Sequence, residues 1–158
     1  MSFRAGLGFD VHPFAAPGSG RRLVLGGVVF DGEPGLAGHS DADVVAHAAA
    51  DALLGAGGLG DIGTHFPDHD PAWAGADSLA LLGRTADLVR GAGWRPGNVD
   101  CSVVLEAPTL APRRGEMERR LSAAAGCPVT VKAKRAEGLG ALGRGEGVAC
   151  WAVALVER

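Results

Sequence analysis

Asp10-Val11-His12, His39-Ser40-Asp41-Ala42-Asp43 and His47 place acids and imidazoles at spacings suited to a divalent cation. Residues two apart on a strand project from the same face, so Asp10 and His12 can act as a pre-oriented pair. On a helix, His47 follows Asp43 by one turn and precedes Asp51 by another, so the three can share a face. A third ligand from that helix gives an Asp/His/His set. Three protein ligands and one open position are the arrangement of catalytic zinc, whereas a structural zinc is closed by four. Spacing alone leaves the alternative standing: DxH pairs and single histidines also occur as ordinary packed or surface residues.

Two further segments carry chemistry-bearing side chains. Asp61-Ile62-Gly63 and Phe66-Pro67-Asp68-His69-Asp70 lie in a Gly/Asp/Pro-rich stretch. They fit either turn chemistry or recognition of hydroxyl groups by carboxylates. Lys132-Ala133-Lys134-Arg135-Ala136-Glu137 precedes a run of glycines, interleaved with Arg144 and Glu146, up to Gly147. That run suits either an anion cradle or a turn-rich connection between strands. It matches neither dinucleotide-binding nor Walker patterns.

The elements that would hold these residues alternate between strand and helix. Strands are expected at Phe3 to Val11, as a Gly26-Gly27 hairpin within Arg21 to Phe30, and at Val99 to Leu105, Val129 to Lys134 and Val148 to Val156. Helices are expected at Ala42 to Ala56, with Ser40 or Asp41 as N-cap, at Asp77 to Ala92 and at Pro112 to Ala125. Gly57 to Gly75 reads as a long functional loop. The pattern predicts an α/β (α+β) fold, a mixed sheet with helices on one face, in one domain over residues 1–158.

Composition narrows the function classes. A net charge of −3 without a basic stripe argues against nucleic acid as partner. No apolar window approaches the ~18 residues of a membrane helix. Cys101, Cys127 and Cys150 are odd in number, far apart and set in apolar runs, so they read as buried thiols of a soluble cytoplasmic protein. Many alanines and 26 glycines give a core of small side chains, for which oligomer contacts would compensate.

Taken together, Gly8-Phe9-Asp10-Val11-His12, His39 to His47, Asp51 to Gly55, Leu59 to Gly63 and Phe66-Pro67-Asp68 resemble the 2-C-methyl-D-erythritol 2,4-cyclodiphosphate synthases. Gly97 to Asp100, Ala107-Pro108 and Gly143-Arg144-Gly145-Glu146-Gly147 continue the resemblance nearly end to end. It implies a metal-dependent lyase of the non-mevalonate (MEP) isoprenoid pathway. Such an enzyme converts 4-diphosphocytidyl-2-C-methyl-D-erythritol 2-phosphate to the 2,4-cyclodiphosphate and CMP. It also implies a homotrimer with active sites between subunits. Zinc would be held by Asp10, His12 and His47, and Mg²⁺ or Mn²⁺ would bridge the diphosphate beside Glu137. His39 would stabilise the reacting phosphates, with Ser40 helping to hold them. Asp61, Ile62, Gly63, Phe66, Pro67, Asp68, His69 and Asp70 would take the erythritol portion. Leu105 to Ala111, including Ala107 and Pro108, together with Lys134, Arg135 and Ala136, would frame the cytidine, largely through backbone groups. Phe9, Ala141, Arg144 and Glu146 would lie toward a threefold axis, around a cavity able to hold an isoprenoid diphosphate.

Two positions depart from the resembled pattern. Arg135 stands where a threonine, the second transition-state stabiliser, is usual, and Ala141 stands where a phenylalanine is usual. Arg135 can donate to phosphate through its fork or turn outward and leave the backbone in that role. Two alternatives to cyclisation follow: a metal-dependent phosphoesterase, or a non-catalytic trimeric module binding a nucleotide or an isoprenoid.

Overall fold

A computed structural model describes residues 1–158. Strand β1 (Phe3–Pro13) alternates cleanly, with Phe3, Leu7, Phe9 and Val11 outward and Gly6, Gly8, Asp10 and His12 inward. It is an edge of a four-stranded sheet ordered β1-β6-β4-β5, built with β4 (Arg95–Val104), β5 (Val129–Lys134) and β6 (Gly147–Glu157). The β1–β6 and β6–β4 pairs are antiparallel and β4–β5 is parallel. A separate hairpin of β2 (Arg22–Leu25) and β3 (Val28–Pro34) turns at Gly26 and Gly27, both with positive φ.

The register carries a functional consequence. Val11 pairs with Ala149, Ala149 with Val104, and Val104 with Lys134, so one row crosses the whole sheet. The ends of β1 and β5 therefore point the same way, at opposite edges. Three strand spacings separate them by roughly 14 Å.

Helices α1 (Val44–Gly57), α3 (Ser78–Gly91) and α4 (Arg114–Ala125) cover one sheet face. The core there joins Val99, Cys101 and Val103 of β4 with Val148, Cys150, Ala152 and Ala154 of β6 and the buried side of α1. Helix α1 approaches β1 at backbone distance. A Cβ on Gly6 would stand 2.1 Å from the Ala52 carbonyl oxygen, and one on Gly8 would stand 2.0 Å from that of Ala48. Only glycine permits this contact, and it sets the height of α1 above β1. The opposite face is apolar and open to solvent: Leu7, Val11 and Val153 are each about half exposed or more, and Trp151 is 40% exposed. All three cysteines are buried and unpaired, as expected.

Several boundaries differ from the sequence expectation. Asp43, not Ser40 or Asp41, is the N-cap of α1, and its carboxylate accepts from the Val45 and Ala46 amides. Ala42 precedes it in the left-handed region (φ 59°), which delays the helix start. The segment expected as one long loop contains a helical turn, α2 (Ile62–His65), and a 3₁₀ turn at Pro71–Trp73. Asp61 and Asp70 cap these turns, so the Asp-rich composition supplies local structure. Strand β4 begins at Arg95, ahead of the expected Val99, because β6 extends far enough to pair with it. A 3₁₀ turn at Ala111–Arg113 takes the expected start of the third long helix. The glycine run after β5 folds as a short helix, α5 (Gly140–Gly143), leading into β6.

Candidate metal-binding active site

Three ligand atoms converge where β1 meets α1. Asp10 Oδ2 lies 2.9 Å from His12 Nε2 and 2.9 Å from His47 Nδ1, and the two nitrogens are 3.4 Å apart. Zinc bonds of ~2.0–2.1 Å in tetrahedral geometry require ligand atoms ~3.3 Å apart, so small side-chain shifts would admit the ion. These are also the three residues expected from the Asp/His/His spacing. Asp51 does not join them, because its carboxylate accepts from the Ile62 amide.

Hydrogen bonds behind the ligands fix which nitrogen is available. His12 Nδ1 donates to the Ala37 carbonyl at 2.8 Å, leaving the Nε2 lone pair for a cation. Gly38 makes room for this ring, since a Cβ there would lie 3.1 Å from His12 Cε1. His47 turns Nδ1 toward Asp10 and Nε2 toward the hydroxyls of Ser78 at 2.9 Å and Ser40 at 3.1 Å. Arg21 holds the intervening loop by donating to the carbonyls of Leu36 and Ser40.

The charges suit a cation. Burial alone would raise the Asp10 carboxyl, but the His12 and His47 rings outweigh it and hold Asp10 at about 2. For His12, burial pulls down while the Asp10 hydrogen bond and charge pull up, and the net shift is upward. Asp43 lies beneath the site. Burial and the neighbouring Asp41 push it up to about 6 against four amide donors, from Gly26, Gly27, Val45 and Ala46. It ties the β2–β3 turn to the start of α1.

A cavity of about 500 Å³ opens over the ligands. Of the expected residues it brings together Asp10, His12, His39, Ser40, His47, Ile62, Gly63, Phe66, Pro67, Asp68 and His69. Its wall also includes Gly38, Trp73 and Leu81, which the sequence reading did not single out. Trp73 stacks edge-on against Phe66 at 5.1 Å, a contact without local sequence signal. His39 is exposed, and its Nε2 lies 3.0 Å from the Asp70 carbonyl oxygen, to which it can donate. The Asp61 carboxylate is engaged by Thr64 and stands outside the cavity lining.

A second cavity of about 200 Å³ lies at the β5 edge, lined by Leu105, Glu106, Pro108, Ala111, Lys134 and Arg135 among others. Glu106, within the expected Leu105 to Ala111 segment, accepts the Ala136 amide at 2.7 Å. Ala107 precedes Pro108 through a cis peptide bond. Glu137 is exposed, with φ 54°, and is not one of the clustered metal ligands. Ala141 sits on α5, and Arg144 is engaged with Glu146 at 2.8 Å, so neither lines either cavity.

The Asp10/His12/His47 triad thus opens onto a cavity of about 500 Å³, with a second, smaller cavity at the other edge of the sheet. The YgbB family matches residues 3–157. The chain belongs to this family. It is 54% identical to the 2-C-methyl-D-erythritol 2,4-cyclodiphosphate synthase of Bordetella petrii, covering 100% of this chain and 98% of that protein. It is 56% identical over 97% of its length to the bifunctional enzyme IspD/IspF of Anaeromyxobacter sp., of which it spans only 39%. Among solved structures, a CDP complex of IspF from Plasmodium falciparum superposes with a TM-score of 0.83 at 30% identity, covering 98% of this chain and 96% of that one. That superposition places the mixed sheet and its helices in the same fold as the Plasmodium falciparum protein. No helix is long and apolar enough to cross a membrane.

Proposed function

We propose that the chain converts 4-diphosphocytidyl-2-C-methyl-D-erythritol 2-phosphate to 2-C-methyl-D-erythritol 2,4-cyclodiphosphate and CMP. The observation that carries this reading is the Asp10/His12/His47 triad, whose open side faces a cavity lined by His39 and Ser40. An oxygen of the 2-phosphate forms a bond to the β-phosphorus. The bond from that phosphorus to the α-phosphate oxygen breaks, and CMP leaves with the electron pair. The nucleophile and leaving group belong to one molecule, so the protein's task is alignment and charge neutralisation.

Zinc held by Asp10, His12 and His47 would supply Lewis-acid neutralisation of phosphate charge. His39 donates toward the reacting phosphates, and Ser40 helps to seat them. The cavity wall from Ile62 to His69, with Asp61 and Asp70 at its ends, holds the erythritol portion. Leu105, Ala107, Pro108, Ala111, Lys134, Arg135 and Ala136 frame the cytidine. Glu137 would help to hold Mg²⁺ or Mn²⁺, which would supply further neutralisation of the diphosphate charge.

The active unit is a homotrimer with each site between two subunits. Two features support this. The exposed apolar face of β1 and β6 is a surface that monomers rarely leave in water. The two cavities lie at opposite edges of one sheet, and a diphosphate cannot bridge ~14 Å within one chain. Packing the β1 edge of one copy near the β5 edge of the next unites them. Phe9, Arg144 and Glu146 then approach the axis. The test is product analysis by phosphorus NMR with zinc and magnesium present. Cyclic diphosphate with CMP is expected. The uncyclised 2,4-bisphosphate with CMP identifies a phosphoesterase, and tight nucleotide binding without turnover identifies a non-catalytic module.

A further inference from the structure

His47 presents Nδ1 to the metal position, and something must keep the proton on its other nitrogen. Ser78, at the first position of α3, is 1% exposed, and its hydroxyl lies 2.9 Å from His47 Nε2. The same hydroxyl donates to Asp41 Oδ1, and the Ser78 amide donates to Asp41 Oδ2 at 3.2 Å. Asp41 is itself fixed, with its amide donating to the Ala76 carbonyl at 3.1 Å and Oδ1 accepting the Asp43 amide at 3.1 Å.

We propose that Asp41 and Ser78 are positioning residues forming a carboxylate–hydroxyl–imidazole relay, which locks His47 with its proton on Nε2 and its Nδ1 lone pair toward the metal. The proposal rests on the reading of Asp10, His12 and His47 as a zinc site. The direction of the relay follows from donor accounting. A carboxylate only accepts, so the Ser78 proton points to Asp41, and the serine oxygen is left to accept from His47 Nε2–H. In the metal-free fold Nδ1 faces the Asp10 carboxylate at 2.9 Å; with a cation at Nδ1 the ring's one proton sits on Nε2, where the serine oxygen accepts it. Ser40, at 3.1 Å, is the only other hydroxyl beside Nε2, but it also accepts the Ala42 amide and has no carboxylate behind it. Ala42, the residue after Asp41, occupies the left-handed region at φ 59°, a conformation costing ~1–2 kcal/mol in a residue with a Cβ. The turn there sends Asp41 toward α3 and Asp43 toward the hairpin. A metal-ligating histidine oriented in this way typically loses ~10–100-fold in metal affinity when its partner is removed.

The test is zinc affinity, measured by competition with a chromophoric chelator, on the full chain and on Ser78→Ala, Ser78→Thr and Asp41→Asn. Ser78→Ala and Asp41→Asn are expected to bind zinc ~10–100-fold more weakly, and Ser78→Thr, which keeps the hydroxyl, to stay near wild type. NMR of nitrogen-15-labelled histidine in the zinc-loaded protein should show the His47 Nε2 proton protected from solvent exchange in wild type and Ser78→Thr, and exchanging faster in Ser78→Ala. Unchanged zinc affinity in Ser78→Ala, or equal losses in the alanine and threonine variants, would overturn the relay. A wild-type chain that binds zinc with this variant pattern but makes no cyclic product supports the relay while refuting the proposed activity. A wild-type chain that binds no zinc overturns both.

Discussion

The β1 edge and the β5 edge of the sheet each carry half of the candidate site, and they are built on different terms. At the β1 edge the functional atoms are locked in place: Asp10, His12 and His47 contact one another, and each histidine has a partner on its far nitrogen. At the β5 edge Lys134, Arg135 and Glu137 are exposed, and the firm contact is the backbone amide of Ala136 held by Glu106. A metal site needs ligand atoms fixed to fractions of an ångström, so it is assembled within one chain. Nucleotide recognition through backbone groups and long basic side chains tolerates completion by another molecule. The difference teaches where substitutions are felt: geometry at one edge, assembly and affinity at the other.

The largest expected effect breaks the locked edge directly. His47→Ala should remove zinc, read by metal analysis, and lower turnover by about 10³-fold or more, ~4 kcal/mol of barrier. The oligomer, read by light scattering, should persist because His47 faces the helix side of the sheet. Full turnover without bound zinc would show that the triad is not the metal site. Next comes Gly8→Ala. Its Cβ would press on the Ala48 carbonyl, and the forced shift of α1 should cost ~1–3 kcal/mol in urea unfolding and weaken zinc binding as well. An unchanged unfolding midpoint would mean that α1 is not set by this contact.

Acidity gives a graded third effect. Zinc must displace the proton from His12, whose pKa is raised in the metal-free fold, so affinity should fall up to ~10-fold per pH unit below that raised value. The metal-free fold behaves oppositely. The stability from His12 is full below 6.5 and is lost as pH rises through the raised value. The Asp10 contribution is full above 3.8 and is lost as pH falls toward about 2. Isothermal titration with zinc across this range, beside urea unfolding of the metal-free chain, checks both signs. The smallest effect belongs to the β5 edge: Arg135→Thr should keep or modestly raise the rate of CMP release. A loss of 100-fold, ~2.7 kcal/mol, would show that the guanidinium carries a catalytic task.

Sequence made one edge legible and left the other partly obscure, for physical reasons. Asp10 and His12 are readable because a strand's period of two puts them on one face, and His47 because a helix follows immediately. The mixed sheet with helices on one face followed from the alternation of elements. The roles of the aspartates were harder. Asp41 and Asp43 are chemically identical, and only the left-handed turn at Ala42 decides that Asp43 caps α1 while Asp41 reaches α3. Ser78 lies 37 residues from Asp41, a contact that no local pattern encodes. Asp61 and Asp70 looked available for ligand, yet each also caps a turn within a segment that composition marks only as loop.

The seam between Gly6–Gly8 and Ala48–Ala52 has one more consequence. Contacts between side chains loosen on warming as rotamers begin to exchange, whereas contact between two hydrogen-bonded backbones has no rotamer to release. His47 rides on the strand that bears Asp10 and His12 through such a contact, so the spacing of the three ligands is decoupled from fluctuations elsewhere in the core. The β1 amides that donate to β6, and those along Ala48 to Ala52, should therefore exchange with solvent only when the whole fold opens. The pre-formed metal geometry would then persist up to the melting temperature itself.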